Sequence, residues 1–109
     1  MRYNSVLDLH THTVASGHAY CSLREMAKAA SEKGLELLGI TEHAPSMPGT
    51  CHKFYFNNLK VVPREMYGIQ LLLGSEVNIL DAQGTVDLGQ HTLSSMDVVI
   101  ASLHTPCMK

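Results

Sequence analysis

The stretch "DLHTHTVASGH", Asp8 to His18, places three histidines within nine residues, two of them separated by a single Thr. The 109-residue chain carries seven histidines against two Phe and no Trp, so imidazole is its unusual ingredient. Neutral imidazole and carboxylate are the usual ligands of zinc, manganese and iron. Histidines at i and i+2 on a strand face the same way and reach one ion. A carboxylate from another strand completes that ion's shell or bridges to a second. Two ions about 3.5–4 Å apart can hold a hydroxide and stabilise in-line displacement at phosphorus, and bound Zn2+ brings its water's pKa to roughly 7.

The elements that must position these residues are legible in the hydrophobic pattern. Ser5–His12 reads as a first strand, with Asp8, His10 and His12 on one face. Cys21–Gly34 follows as a helix: Ser22 and Glu25 have capping-box spacing, Leu23, Met26, Ala27 and Ala30 form an apolar stripe, and Gly34 suits the stop. Leu35–Ile40 is a nearly continuous apolar run, as in a strand buried on both faces, and it leads into Thr41, Glu42 and His43. A long loop is marked by Pro45, Pro48 and Gly49. Asn57–Tyr67 is expected to be helical in part, limited by Pro63. A third strand starts at Ile69 and carries Glu76 near its end, "DAQG" is a turn, Gly89–Met96 holds a short helix, and a fourth strand, "DVVIASLH", ends at His104. Alternating strands and helices predict an α/β fold with parallel pairing. The right-handed crossover then gathers all the strand C-termini at one sheet edge, where α/β active sites sit.

Four strands thus deliver metal-ligand residue types to one edge: His10 and His12, His43, Glu76, and His104. Each has a bland reading alone. A single His-Thr-His is a weak motif, a lone His104 is compatible with a packed or surface histidine, and a lone Glu76 with a buried ion pair. Buried ionisable groups cost several kcal/mol unless paired or coordinated. Convergence at one edge favours the metal.

Hydrophobic residues make up 45% and charged residues 17%, a globular balance for one modest domain. The formal net charge of -2 gives no reason to expect a nucleic-acid partner or an anionic membrane surface. No window approaches a membrane span or a signal peptide. Cys21, Cys51 and Cys107 form neither a zinc motif nor a disulfide framework, which points to a reducing cytoplasm, with each thiol a small buried hydrophobe.

The segments "DLHTHTVASGHAYCSL", "GITEHAPSMP", "VVPRE", "GSEVNI" and "IASLHTP" resemble, in order and spacing, the PHP (polymerase and histidinol phosphatase) family of metal-dependent phosphoesterases. The likeness is to the small stand-alone YcdX-type bacterial phosphatases. It implies that residues 1–109 are the N-terminal portion, about four β/α units, of a single truncated domain. The complete domain would be a distorted seven-stranded, TIM-like β/α barrel. It further implies that His10, His12 and Glu76 hold one metal, that Glu76 bridges to a second also held by His104, and that His18 and His43 hold a third. The implied cofactor is Zn2+, up to three per complete domain, with Mn2+ or Fe2+ as alternatives. The implied function is hydrolysis of a small phosphate monoester by a metal-bound hydroxide at this multinuclear site.

Two positions depart from the family pattern: Glu42 stands where Asp is common, and Gly17 where a larger residue is common, which is expected to loosen the loop before His18. Arg64 is a candidate phosphate contact or a solvated helix residue. His52 and His91 are expected to face water, and Asp8 to lie behind His10 or deeper in the barrel. The competing functions are a catalytically inactive metal-binding fragment, an amidohydrolase-type metal hydrolase, and a nuclease or polymerase-associated role, the last disfavoured by the lack of a basic stripe. Oligomeric state is left open.

Overall fold

A computed structural model describes residues 2–108. Its elements run in the order β1 (Leu7–Thr11), α1 (Leu23–Glu32), β2 (Leu37–His43), α2 (Lys53–Asn57), β3 (Glu65–Met66), β4 (Ile69–Asn78), α3 (Gln90–Ser94) and β5 (Val98–Ser102). Short 3-10 turns lie at Val14–Ser16, Leu59–Val61 and Thr105–Cys107. Strands β1, β2, β4 and β5 are parallel and adjacent in that order, and the sheet curls into half of a TIM-like barrel. The two-residue β3 runs antiparallel along the first residues of β4, on the edge that β5 occupies further on.

The expected α1 is present with its full capping box: Ser22 accepts from the Glu25 amide, and Glu25 accepts from the Ser22 amide. Backbone and side-chain bonds from Ser22 hold the exposed Glu25 carboxyl below its ordinary range. The segment Asn57–Tyr67 differs from expectation. The α-helix lies earlier, at Lys53–Asn57, and only a 3-10 turn follows before Pro63. His52 explains the early start, because its Nδ1 accepts the Phe54 amide at 3.1 Å and caps α2.

Register divides the sheet into two faces. Leu38 and Ile40 of β2 pair with Leu71 and Leu73 of β4. They bury against Ala27 and Ala30 of α1 and against Phe56 and Leu59, forming the core. The alternate residues, His43 on β2 and Glu76 on β4, are also paired and point to the concave face.

The first strand does not keep simple alternation. Asp8 pairs with Leu38 and Thr11 with Ile40, so Leu9 and His10 together oppose Gly39. This one-residue bulge flips the parity of β1. Asp8 therefore shares the helix side with Thr11, beside Met26, Ala29 and Lys33, and not the face of His10 and His12 as its spacing predicts. Gly39 permits the bulge, since a Cβ there would lie 2.8 Å from Leu9 Cα. Thr11 Oγ1 secures it with a 2.6 Å bond to the Gly39 carbonyl.

Cys51 is partly buried and Cys107 buried, and burial pushes both thiols up. Cys21 is exposed, contrary to its expected place in the core, because it lies just ahead of the α1 cap.

Candidate metal centre

Glu76 emerges from the C-terminal half of β4, is 3% exposed, and is ringed by imidazoles. Its Oε1 lies 3.0 Å from His10 Nε2, 3.1 Å from His12 Nε2 and 3.3 Å from His43 Nδ1. Its Oε2 lies 3.4 Å from His104 Nε2. His12 and His43 stack with centroids 4.2 Å apart, and His104 meets the edge of His43 at 4.9 Å. The exposed His18, on the loop after the first 3-10 turn, sits 4.6 Å from the His43 ring and 5.4 Å from that of His12. The five residues expected at the strand ends, and His18 that the resemblance adds, thus lie in one cluster. His104 lies two residues beyond β5, which ends at Ser102.

The electrostatics suit a cation. Burial, then the neighbouring His12, pushes His43 down to about 4, and burial also lowers His12. Both rings are therefore neutral near pH 7, the form that ligates metal. Burial acts to raise the Glu76 carboxyl, but the Ser102 side chain and the adjacent imidazoles of His10 and His43 outweigh it, so the group titrates below its ordinary range. Buried His43 Nδ1 and Glu76 Oε1 have no hydrogen-bond partner among the described residues. Such orphaned atoms are costly in a native interior. A divalent ion would satisfy both at once, and the donor set of imidazoles with one carboxylate fits zinc, manganese or iron. Two overlapping triads have ligand atoms mutually within 4.8 Å: His10, His12 and Glu76, and His43, Glu76 and His104. His43 groups here with His104, whereas the resemblance implies that it acts with His18.

The loop behind the cluster is tied to Glu42, which is fully buried. Its carboxylate accepts from the Thr13 amide at 2.8 Å, the Thr13 hydroxyl, the Ser16 hydroxyl at 2.7 Å and the Tyr55 hydroxyl at 3.4 Å. Burial, with Glu42 nearby, raises the Tyr55 hydroxyl and keeps it a donor. Gly17 does not loosen this loop. It holds φ 85°, and a Cβ would fall 2.0 Å from the Gly49 carbonyl oxygen, so only glycine fits.

Arg64 is not brought to the cluster. Its Nε meets Asp97 at 2.6 Å, and its Nη1 meets the Leu59 and Val62 carbonyls at 2.8 Å each. Asp97 also accepts the Leu73 amide and immediately precedes β5. This places Arg64 toward the strand N-termini, away from the edge that gathers Glu76 and His104. His91 is exposed on α3, as expected. Sequence reasoning missed Ser16, Asn78 and Asp87. Asn78 carried a usable signal, since it follows Glu76 by two residues on the same strand face.

An α/β half-barrel with a histidine–carboxylate cluster at its strand C-termini defines a class, and comparison with known families agrees: the PHP domain matches residues 8–109, and the chain belongs to that family. The family is metal-dependent. Among its relatives, a probable phosphatase of Clostridium novyi (strain NT) is 56% identical over 108 residues, 99% of this chain and 43% of that protein. A probable phosphatase of Caldanaerobacter subterraneus subsp. tengcongensis is 50% identical over all of this chain and 43% of its own length. One from Acetivibrio thermocellus is 46% identical over 104 residues. The chain therefore spans 43% of the length of the first two. No helix among the described residues is long and apolar enough to cross a membrane.

Proposed function

We propose that this chain carries the N-terminal part of the metal centre of a phosphatase that hydrolyses a small phosphate monoester. The observation that carries the reading is the Glu76 carboxylate with orphaned Oε1, facing four imidazole nitrogens at 3.0–3.4 Å. The names of the relatives supply the reaction class. His10, His12, His43, His104 and Glu76 would hold divalent ions, with His18 at the rim completing the set, and Zn2+ is the ion proposed. Bound ions would supply Lewis acidity toward the phosphoryl oxygens and lower the pKa of water.

The chain's own residues contribute placement. The sheet fixes the ligands on a rigid edge, the bulge at Gly39 aims His10 and His12 inward, and neutral His12 and His43 leave lone pairs for the cations. Six candidate ligands drawn from this part of the fold would accommodate more than one ion, and Glu76 is common to both triads.

Hydrolysis of p-nitrophenyl phosphate by the whole protein tests the reading. Turnover is expected to vanish on chelation, to return with Zn2+ or Mn2+, and to be lost in His10→Ala and Glu76→Ala. Normal turnover in either variant contradicts it.

A further inference from the structure

We propose that two carboxylates, Asp87 and Glu42, set the tautomers of His104 and His12 through one neutral relay each, Asn78 and Ser16, so that both rings turn an unprotonated Nε2 toward Glu76. The inference rests on the metal reading only for what the two lone pairs are for. The tautomers follow from hydrogen-bond accounting.

The His104 arm begins at Asp87. Its Oδ1 accepts the Asn78 amide at 2.9 Å, and its Oδ2 accepts the Ser46 amide at 2.9 Å and the Asn78 side-chain Nδ2 at 2.6 Å. Asn78 Nδ2 also points to the Ala44 carbonyl at 3.4 Å. Both neighbours of that nitrogen accept only, so the amide orientation is fixed and cannot be flipped. Asn78 Oδ1 therefore faces His104 Nδ1, at 2.7 Å. An amide oxygen has no proton to give, so Nδ1 must carry it. In the neutral ring Nε2 is then bare, and it is this atom that lies 3.4 Å from Glu76 Oε2. Asn78 is fully buried, so water does not compete for either end of the relay.

The His12 arm has the same logic with a hydroxyl. Ser16 Oγ owns one proton and two lone pairs. It donates to Glu42 Oε1 at 2.7 Å and accepts the His43 backbone amide at 3.0 Å. One lone pair remains, and it faces His12 Nδ1 at 3.1 Å. His12 Nδ1 must donate to it, which leaves Nε2 bare at 3.1 Å from Glu76 Oε1. Lone pairs held this close to a carboxylate repel one another unless a cation lies among them. Fixing the tautomer through the far nitrogen is how hydrogen-bonded partners orient ligating histidines. Asp87, Asn78 and Ser16 are thus positioning residues that act through the rings.

The test is nitrogen-15 spectroscopy of the histidine-labelled, metal-free protein at about pH 8, above the ordinary imidazole range, where two-bond couplings distinguish the tautomers. Free histidine favours Nε2–H, and we expect His104 and His12 to show Nδ1–H. An Nε2–H pattern at His104 in the wild type overturns the proposal without any variant. Asn78→Leu and the milder Asp87→Asn are expected to shift His104 toward Nε2–H, and Ser16→Ala to shift His12. Each is expected to weaken Zn2+ binding by roughly 10–100-fold in titration calorimetry. An unchanged tautomer in folded Asp87→Asn and Asn78→Leu also overturns it. A wild type with both Nδ1–H tautomers that takes up no zinc supports the tautomer assignment and contradicts the metal reading, so the two failures are distinguishable.

Discussion

Glu76 Oε1 approaches three imidazole nitrogens within 3.3 Å and has no hydrogen-bond partner among the described residues. Glu42, one residue before the candidate ligand His43, is the opposite case: its two oxygens take four donors. The contrast separates a carboxylate free for a cation from one that ties a loop. Replacing Glu42 by Gln turns an amide NH2 against donors in a fully buried place. We expect Glu42→Gln to cost about 1–3 kcal/mol, read as a lower urea midpoint. At this scale the sequence showed the ligand types plainly, because His and Glu at the ends of apolar strands have few structural uses. It hid Asn78 and Asp87, whose value lies in a bond between a strand and a loop nine residues on. It left Arg64 open between two roles, and the bond to Asp97 ahead of β5 was not legible in it.

Among the elements, strand contacts matter most where there is no room for a side chain. A Cβ on Gly74 would lie 1.6 Å from the Val98 carbonyl oxygen, so β5 closes on β4 only because this residue is glycine. Gly74→Ala is expected to push β5 away, cost at least about 1–3 kcal/mol by denaturant unfolding, and weaken zinc binding by displacing His104. The α1 capping box makes a pH prediction. The Glu25 carboxyl is depressed below 4.5 in the folded state. Its contribution is therefore present above the unfolded value and is lost as pH falls through the folded one. Ser22→Ala should lower the melting temperature at neutral pH through the lost cap, and the gap from wild type should narrow below pH 4.5 in thermal melts. Strand and helix order was legible from periodicity and caps. The bulge in β1 was not, because Leu9–His10–Thr11 reads as ordinary alternation, and only pairing with Gly39 reveals the extra residue.

For the whole molecule, curling four parallel strands brings their C-terminal ends onto one concave edge, so candidate ligands from residues 10 to 104 lie together. The outer strands leave apolar side chains uncovered, with Leu7 49% and Val99 42% exposed. Folding brings neutral imidazoles and a carboxylate together, and His43 Nδ1 and Glu76 Oε1 find no hydrogen-bond partner among the described residues, so a bound ion should add stability. At free Zn2+ of 100 times Kd the gain is about 2.7 kcal/mol. That corresponds to a Tm rise on the order of 10 °C for a domain of this size, read by calorimetry with and without chelator. The parallel α/β order was legible in the alternation of elements and the barrel only in the family resemblance, whereas β3 was in neither, being only two residues long and set by its pairing with Ile69 and Gln70.

The most direct test of the centre itself is zinc content and affinity of wild type against Glu76→Gln, by elemental analysis after dialysis and by competition with a chelator. Wild type should retain zinc in at least equimolar amount. Glu76→Gln should keep its circular dichroism spectrum and lose affinity by more than the roughly 10–100-fold expected for a residue that only orients a ligand. Equal zinc retention by the two proteins, or none by the folded wild type, would contradict a metal centre built on Glu76.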